Sequence, residues 1–409
     1  MSSRTAPPAP SPDPAAVRAS GSPDVRGSMS RLPEPMQLPL TWLTGKPYTG
    51  QRGPSPTPGF HLAAGLVSLT IGLAVSTTAL AAGGGWTLLL VVGWAVLLHA
   101  LRNLRMMVYH QCAHRNMWAR KRLDRTLGRV IAGLLLVQDF DGYAREHVGD
   151  HHALRHMTPA DPTVQAILVS LELRPGMTRS QMWRRVLGRI VSPVFHARFT
   201  TSRVRSYLAA APWPDRLLAA GAHGLALVAA GMTGTLVWLL LAWLVPFTVL
   251  YQTSNVLRLC VRHTFPGPEV RVKRGREYFG GLTNAVFLGE PAPRAGQSPG
   301  RAVAAWTRWG VRMLTVHLPS RYLVLTGDTV CHDYHHRYPM SRQWADYLFA
   351  RQRDLEAGHP GWPPYQEVWG LVPAIDAVFD SLRTADPGVY DRARLPKLSE
   401  RALFSAFED

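Results

Sequence analysis

Four long apolar stretches, arranged as two close pairs, constrain this chain more than any other feature. Phe60 to Ala82 and Trp86 to Leu101 are separated only by Gly83, Gly84 and Gly85, a turn without charge. Leu217 to Met232 and Leu236 to Thr253 repeat the arrangement across Thr233 and Gly234. Crossing a hydrocarbon core takes roughly 20 residues of helix, and each stretch is close to that, the second and third borrowing from their flanks. Soluble helices rarely stay apolar all round, which disfavours burial inside a large soluble domain. The pattern predicts an all-α integral membrane protein with four transmembrane helices, at about residues 60–82, 86–105, 215–232 and 235–254. They pair as two hairpins below a cytosolic helical cap, and Pro246 is expected to kink the last of them.

Basic residues avoid both hairpin turns. Arg102, Arg105, Arg115, Arg120, Lys121, Arg122, Arg125 and Arg129 follow the second stretch, while Arg184, Arg185, Arg189, Arg198, Arg203 and Arg205 precede the third. Positive charge stays on the cytosolic side of a membrane, so both termini and the middle segment are expected there, in a bacterial-type inner or plasma membrane. The excess of 45 Lys+Arg over 27 Asp+Glu is juxtamembrane and suits anionic lipid head groups. It comes with no helix-turn-helix, zinc finger or aromatic-interleaved pattern, so nucleic acid is not an expected partner. Docking of an acidic redox partner on the same face is a further use of that field.

The even number of crossings places all the clustered histidines on one side of the membrane. Nine of the 16 histidines fall as His110-x3-His114, His147-x3-His151-His152, a lone His263, and His332-x2-His335-His336. Residues three and four apart share a helix face, so each cluster can aim two or three imidazoles at one point. Neutral imidazole suits iron, copper, nickel or zinc, and a zinc site closes at four ligands, so nine candidates argue for two metal ions. His156, one turn past His152, is a possible tenth ligand, with a supporting or surface role favoured. Asp150, Asp161 and Asp333 can accept the second ring N–H of a ligating histidine or can equally be solvated. The run from Ala100 to Trp118 lacks Pro and Gly and should carry its helix, with His110 and His114, out of the bilayer. His99 and Asn103 share the face of His110, polar groups at membrane depth, and are candidates for the wall of a substrate tunnel or for helix packing.

Residues 1–57 are rich in Pro, Ser, Ala and Gly and read as a disordered arm; residues 58–355 form the membrane domain, and 356–409 a cytosolic tail. The start lacks the apolar core of a signal peptide, so the first span is expected to serve as the insertion signal. Cys112, Cys260 and Cys331 cannot make a disulfide framework, and no C-x2-C pair encodes a zinc ribbon or iron–sulfur cluster. Cys112 is turned off the face shared by His110 and His114.

Taken together, these boxes resemble the membrane fatty acid desaturase and hydroxylase superfamily. HQCAH at 110–114 is similar to its first box, HVGDHH with the following ALRHMTPADP to its second, and HDYHH at 332–336 to its third. LRLCVRH at 257–263 resembles the segment in which an Arg precedes an isolated His ligand, which adds Arg258 to the candidates beside the metal. The resemblance covers roughly residues 60–350 and is specific as a set. It implies a non-haem di-iron site ligated by His110, His114, His147, His151, His152, His263, His332, His335 and His336. It further implies dioxygen as co-substrate, an acyl or other lipid-like substrate, and an external electron donor of the ferredoxin or cytochrome b5 type with its reductase.

The chain departs from that pattern in two places. Its second box has three residues before the His pair, where most acyl desaturases have two and the integral alkane hydroxylases share the longer spacing; desaturation and hydroxylation both stay open. Arg262 stands where relatives often carry an acidic residue. HPGW at 359–362 is similar to the haem-binding HPGG of cytochrome b5 domains, but no partner histidine follows it, so a fused haem domain is rejected. A zinc hydrolase would use a carboxylate base, and no HExxH occurs; a haem carrier would hold its ligands within a span, whereas these clusters lie outside.

Overall fold

The computed structural model describes residues 24–149, 155–267 and 275–395, together with 403 and 406–408. The chain opens with α1 (Val25–Met29) and α2 (Glu34–Thr44), ahead of the first long helix α3 (Pro58–Ala82). Thr57 starts α3 by accepting a hydrogen bond from the Phe60 amide, with Pro58 pre-set in the first turn. Gly83 and Gly84 then turn the chain at φ 63° and 53°, in left-handed backbone that side chains resist, and α4 (Gly84–Ala113) returns alongside. The two helices touch backbone to backbone: a Cβ on Gly72 would stand 2.7 Å from the Leu97 amide nitrogen, and one on Gly93 would stand 2.9 Å from that of Ser76. Small residues at a crossing are how helices in lipid gain close packing.

The cap is built from α5 (Lys121–Leu135), α6 (Phe140–Arg145), α7 (Arg179–Ile190) and α8 (Pro193–Ala210), and later α12 (His332–Arg337), α13 (Tyr347–Glu356) and α14 (Leu371–Thr384). Between these groups run the antiparallel pair α9 (Trp213–Met232) and α10 (Leu236–Leu259) and the surface helix α11 (Pro299–Arg312). Among the described residues, three helices, α3, α4 and α10, are long and apolar enough to cross a membrane. Their outer faces leave Leu66, Val67, Val91, Val92 and Val237 exposed, as suits contact with lipid. The expected third span, 215–232, is helical, but α9 carries Asp215 and Arg216 in its first turn and is not among the three. Near Pro246, α10 winds as a π-helix over Leu240–Leu244 and Pro246–Leu250, which accommodates the missing amide.

Past Leu97, α4 leaves the outer surface and runs buried into the middle of the cap, with a π-helical segment over Leu104–Tyr109. It stops at Ala113, short of the expected Trp118, because Arg115 adopts φ 58° and breaks the helix.

Two sequence expectations are corrected here. The supposedly disordered arm is structured from residue 24: α1 and α2 are fastened by Arg26, only 1 % exposed, which donates to the Gln37 and Thr41 side chains and to the Lys46 carbonyl. Order here comes from a buried guanidinium network, which hydrophobic periodicity does not reveal. Of the expected tail 356–409, the stretch described through residue 395 is folded into the body of the protein. Its strand β2 (Glu367–Trp369) pairs in parallel with β1 (Ala285–Phe287), adding a two-stranded sheet to an otherwise helical fold. Its helix α14 buries Ile375, Val378, Phe379 and Leu382 in the same core as the cap. Each such side chain contributes about 1.5–3 kcal/mol of burial, so this segment is integral to the cap.

Candidate metal centre

Where α4 and α10 leave their apolar stretches, histidines from distant parts of the chain converge. His110 lies in the last turn of α4 and His114 just past its end, His147 lies on a wide π-helical turn continuing α6, and His335 is on α12. All four are buried, with ligand nitrogens within 4.8 Å of one another. His263, just past α10, meets His332 and His336 of α12 in a second buried group. Thus α12 serves both groups: His332 and His336, four apart, point together, while His335 is rotated by roughly 100° from its neighbour and points to the other group. The third cluster therefore aims at two points, where its spacing alone implied one. His151 and His152, like Asp150, lie outside the described residues.

The ring nitrogens fit metal coordination. His110 Nε2 stands 3.0 Å from His335 Nε2, His332 Nε2 is 3.3 Å from His263 Nε2, and His336 Nε2 is 3.2 Å from His332 Nε2. Ligands about 2.0–2.1 Å from one ion and near right angles to each other stand roughly 3 Å apart. A donor set of imidazoles alone is the chemistry of a transition metal rather than of magnesium or calcium.

Hydroxyl groups orient these rings. The Tyr143 hydroxyl lies 2.9 Å from His110 Nδ1, and its ring stacks on His147 at 5.0 Å, so one side chain steadies two of the histidines. Arg105 covers the Tyr143 ring at 4.2 Å. The Thr283 hydroxyl donates to the Phe279 carbonyl at 3.3 Å, leaving a lone pair for the Nδ1–H of His263 at 3.2 Å and freeing Nε2 for a metal. Spacing offered a signal for Tyr143, four residues before His147, but none for Thr283. Tyr143→Phe is expected to lower activity and metal retention roughly 10- to 100-fold; turnover and metal content, measured together, check this.

Asp333 does not accept from a histidine ring, as the sequence suggested. It is held by two nitrogens of Arg351, Nε at 3.0 Å and Nη2 at 2.8 Å, both residues being buried. Burial works against the Arg351 charge, but Asp333 and Glu367 outweigh it and raise the pKa. Asp161 caps a short helix, accepting from the amides of Thr163 and Met157. His156 is fully buried, not at the surface, with its ring 4.6 Å from that of His263 and 5.0 Å from that of His336. Arg258 is buried at the end of α10 with Arg262, Arg102 and Arg105 as electrostatic neighbours. Burial pushes the Asp328 carboxyl up to about 7, although it accepts a hydrogen bond from Gln111. His99 stacks on Tyr322 at 3.8 Å with Nδ1 3.0 Å from the Tyr322 carbonyl, and Asn103 donates to the His61 carbonyl. Both make helix-packing contacts.

Cys112, Cys260 and Cys331 are buried free thiols. Burial pushes Cys260 up to about 12 and raises Cys331 as well, which disfavours the thiolate a metal would need. A cavity of about 620 Å³ reaches His114 past Phe140, Val148 and Met340, with Arg115, Lys121 and Arg145 around it.

A family model for fatty acid desaturases matches residues 57–369, spanning both histidine groups and the helices that carry them. The chain belongs to the fatty acid desaturase family. Comparison with curated protein sequences returned no match. As a member of this family, the desaturase-like chain is an oxidoreductase of fatty-acid modification, integral to a membrane and acting on lipid, and its histidine groups fit the metal dependence of such enzymes.

Proposed function

We propose that this protein is a di-iron, dioxygen-dependent enzyme that introduces a double bond into an acyl or other lipid-like chain. The observation carrying the reading is the pair of buried imidazole groups whose Nε2 atoms face one another at 3.0–3.3 Å. In it, His110, His114, His147 and His335 hold one ion, and His263, His332 and His336 hold the other, with His151 and His152 completing the set. Two irons bound there would supply the oxidising power to remove hydrogen from an unactivated C–H bond, drawing electrons from a ferredoxin or cytochrome b5 type donor. The protein's own contribution is positional. Tyr143 and Thr283 fix ring tautomers, and Tyr109, fully buried with its ring 4.9 Å from that of Tyr143, helps to exclude water from the reacting centre.

Hydroxylation is the second reading, favoured by the three residues between His147 and His151.

The same reading assigns α9 as a crossing. His147 precedes α9 and His263 follows α10, and both groups meet through α12, so the chain leaves and returns to one face between them. With Asp215 paired to Arg129 at the boundary, Leu217 to Met232 is the apolar length of that crossing. The histidines and termini then face the cytosol of a bacterial-type inner or plasma membrane, the side to which the basic residues assign them.

Metal analysis with Mössbauer spectroscopy on purified protein, followed by lipid analysis of expressing cells, tests the proposal. Two irons per chain and an oxygen-dependent alkene are expected; an alcohol would select hydroxylation, and stoichiometric zinc would end the iron reading. His359 sits half-buried with Nδ1 3.0 Å from the Trp362 carbonyl. His359→Ala is expected to leave turnover within about twofold, as for a surface change near ±0.5 kcal/mol, in an assay beside the unaltered protein.

A further inference from the structure

Helix α11 continues through wide π-helical turns to Val324, and its sides differ in chemistry. Trp309, Met313, His317 and Arg321, four residues apart, face protein: Met313 packs with Met29, Leu40 and Ala292, and Arg321 donates to the Trp42 carbonyl of α2. A second side shows Val303, Trp306, Val311, Leu314 and Leu318, with Val303 67 % and Leu314 63 % exposed. Successive α-helical residues turn by about 100°, so Val303, Trp306 and Val311 fall within one arc of roughly 140°, and Arg301, Arg308 and Arg312 cluster opposite it. Val316, also exposed, lies off the apolar arc.

The far end of this helix is keyed to the membrane helices. Tyr322 stacks on His99 of α4, and the Leu323 carbonyl accepts from Ser254 of α10. His99 precedes His110 by eleven residues, about 16 Å along a helix, so the end of the run is seated well below the metal groups. Beside it, α2 exposes Met36, Leu38 and Trp42. The run therefore ends packed against the same helices, α4 and α10, whose outer faces carry exposed apolar side chains. An apolar arc with arginines opposite it is the composition of a helix lying in a bilayer interface, each basic residue adding attraction to anionic lipid.

We infer that α11, buttressed by α2, is an in-plane platform that rests on an anionic phospholipid surface. This rests on the reading of α3, α4 and α10 as membrane crossings. The platform leads through Gly327–Cys331 into His332, so it sets the depth at which the third histidine cluster stands above the lipid.

Full-length protein in nanodiscs, labelled with a nitroxide at Val303→Cys, Leu314→Cys or Arg308→Cys, tests this; the native thiols are buried. Val91→Cys in α4 is the control for a lipid-facing span. At Val303 and Leu314, collisions with oxygen should exceed those with a water-soluble nickel chelate, and the ratio should invert at Arg308. Replacing part of the phosphatidylcholine by phosphatidylglycerol should deepen the first two readings, and R301Q/R308Q/R312Q should abolish that response. A watery reading at Val303 and Leu314 in both lipids, or spin–spin broadening from a second copy, would overturn the inference. A watery reading at Val91 would instead strike the membrane reading itself.

Discussion

His335→Ala is expected to abolish turnover and to release metal from the first histidine group while leaving the protein folded. His335 is the member of that group supplied by α12, and its Nε2 faces that of His110 at 3.0 Å. Loss of a group that merely orients a ligand costs about 10- to 100-fold, so loss of a ligand should exceed ~100-fold in product formation. Metal analysis should show depletion, and a cooperative melting transition in detergent should persist, since the core around α4 and α14 is untouched. Full activity in this variant would show that the ligand assignment is wrong.

Arg351→Ala is expected to give the largest loss of stability. Arg351 is 2 % exposed, grips Asp333 with two nitrogens, and reaches Glu367 at 3.1 Å, while Glu367 also pairs with Lys46. One guanidinium thus ties the residue after His332 to β2 and, through Glu367, to the N-terminal segment. Removing one partner of a buried pair strands the other charge, at a cost of about 3–5 kcal/mol. A pair replaced as a unit suffers less, so Arg351→Met with Asp333→Asn should recover part of the loss. Thermal unfolding of the two variants and the unaltered protein measures this. An unchanged midpoint for the single variant would show that the pair does not hold the third cluster in place.

Parts of the fold are written in local pattern. The glycine turn between α3 and α4, the apolar length of both, and the i,i+4 spacings of His110 with His114 and His332 with His336 survive translation into structure because each depends on residues within a turn or two. The order of residues 24–57 was hidden because Arg26 acts through hydrogen bonds to side chains 11 and 15 positions on, beyond the reach of a helical or strand period. The β1–β2 pair was hidden because its strands are three residues long and 82 positions apart, Ala285 against Glu367. For Asp333 the local spacing offered only a histidine ring or solvent, because its partner, Arg351, lies one helix away.

The sequence by itself determined the residue types of the candidate metal centre, the apolar helices that carry them, and the family to which the chain belongs. Tertiary structure decided how the histidines divide between two groups, because α12 turns His335 away from His332 and His336 and neighbours from α4, the 146–149 turn and His263 claim each side. It also decided which groups steady the rings: the Tyr143 hydroxyl reaches His110 and the Thr283 hydroxyl reaches His263 across packed elements. Side chains brought together by the packing of separate helices leave no periodic mark along the chain, whereas a helix face does.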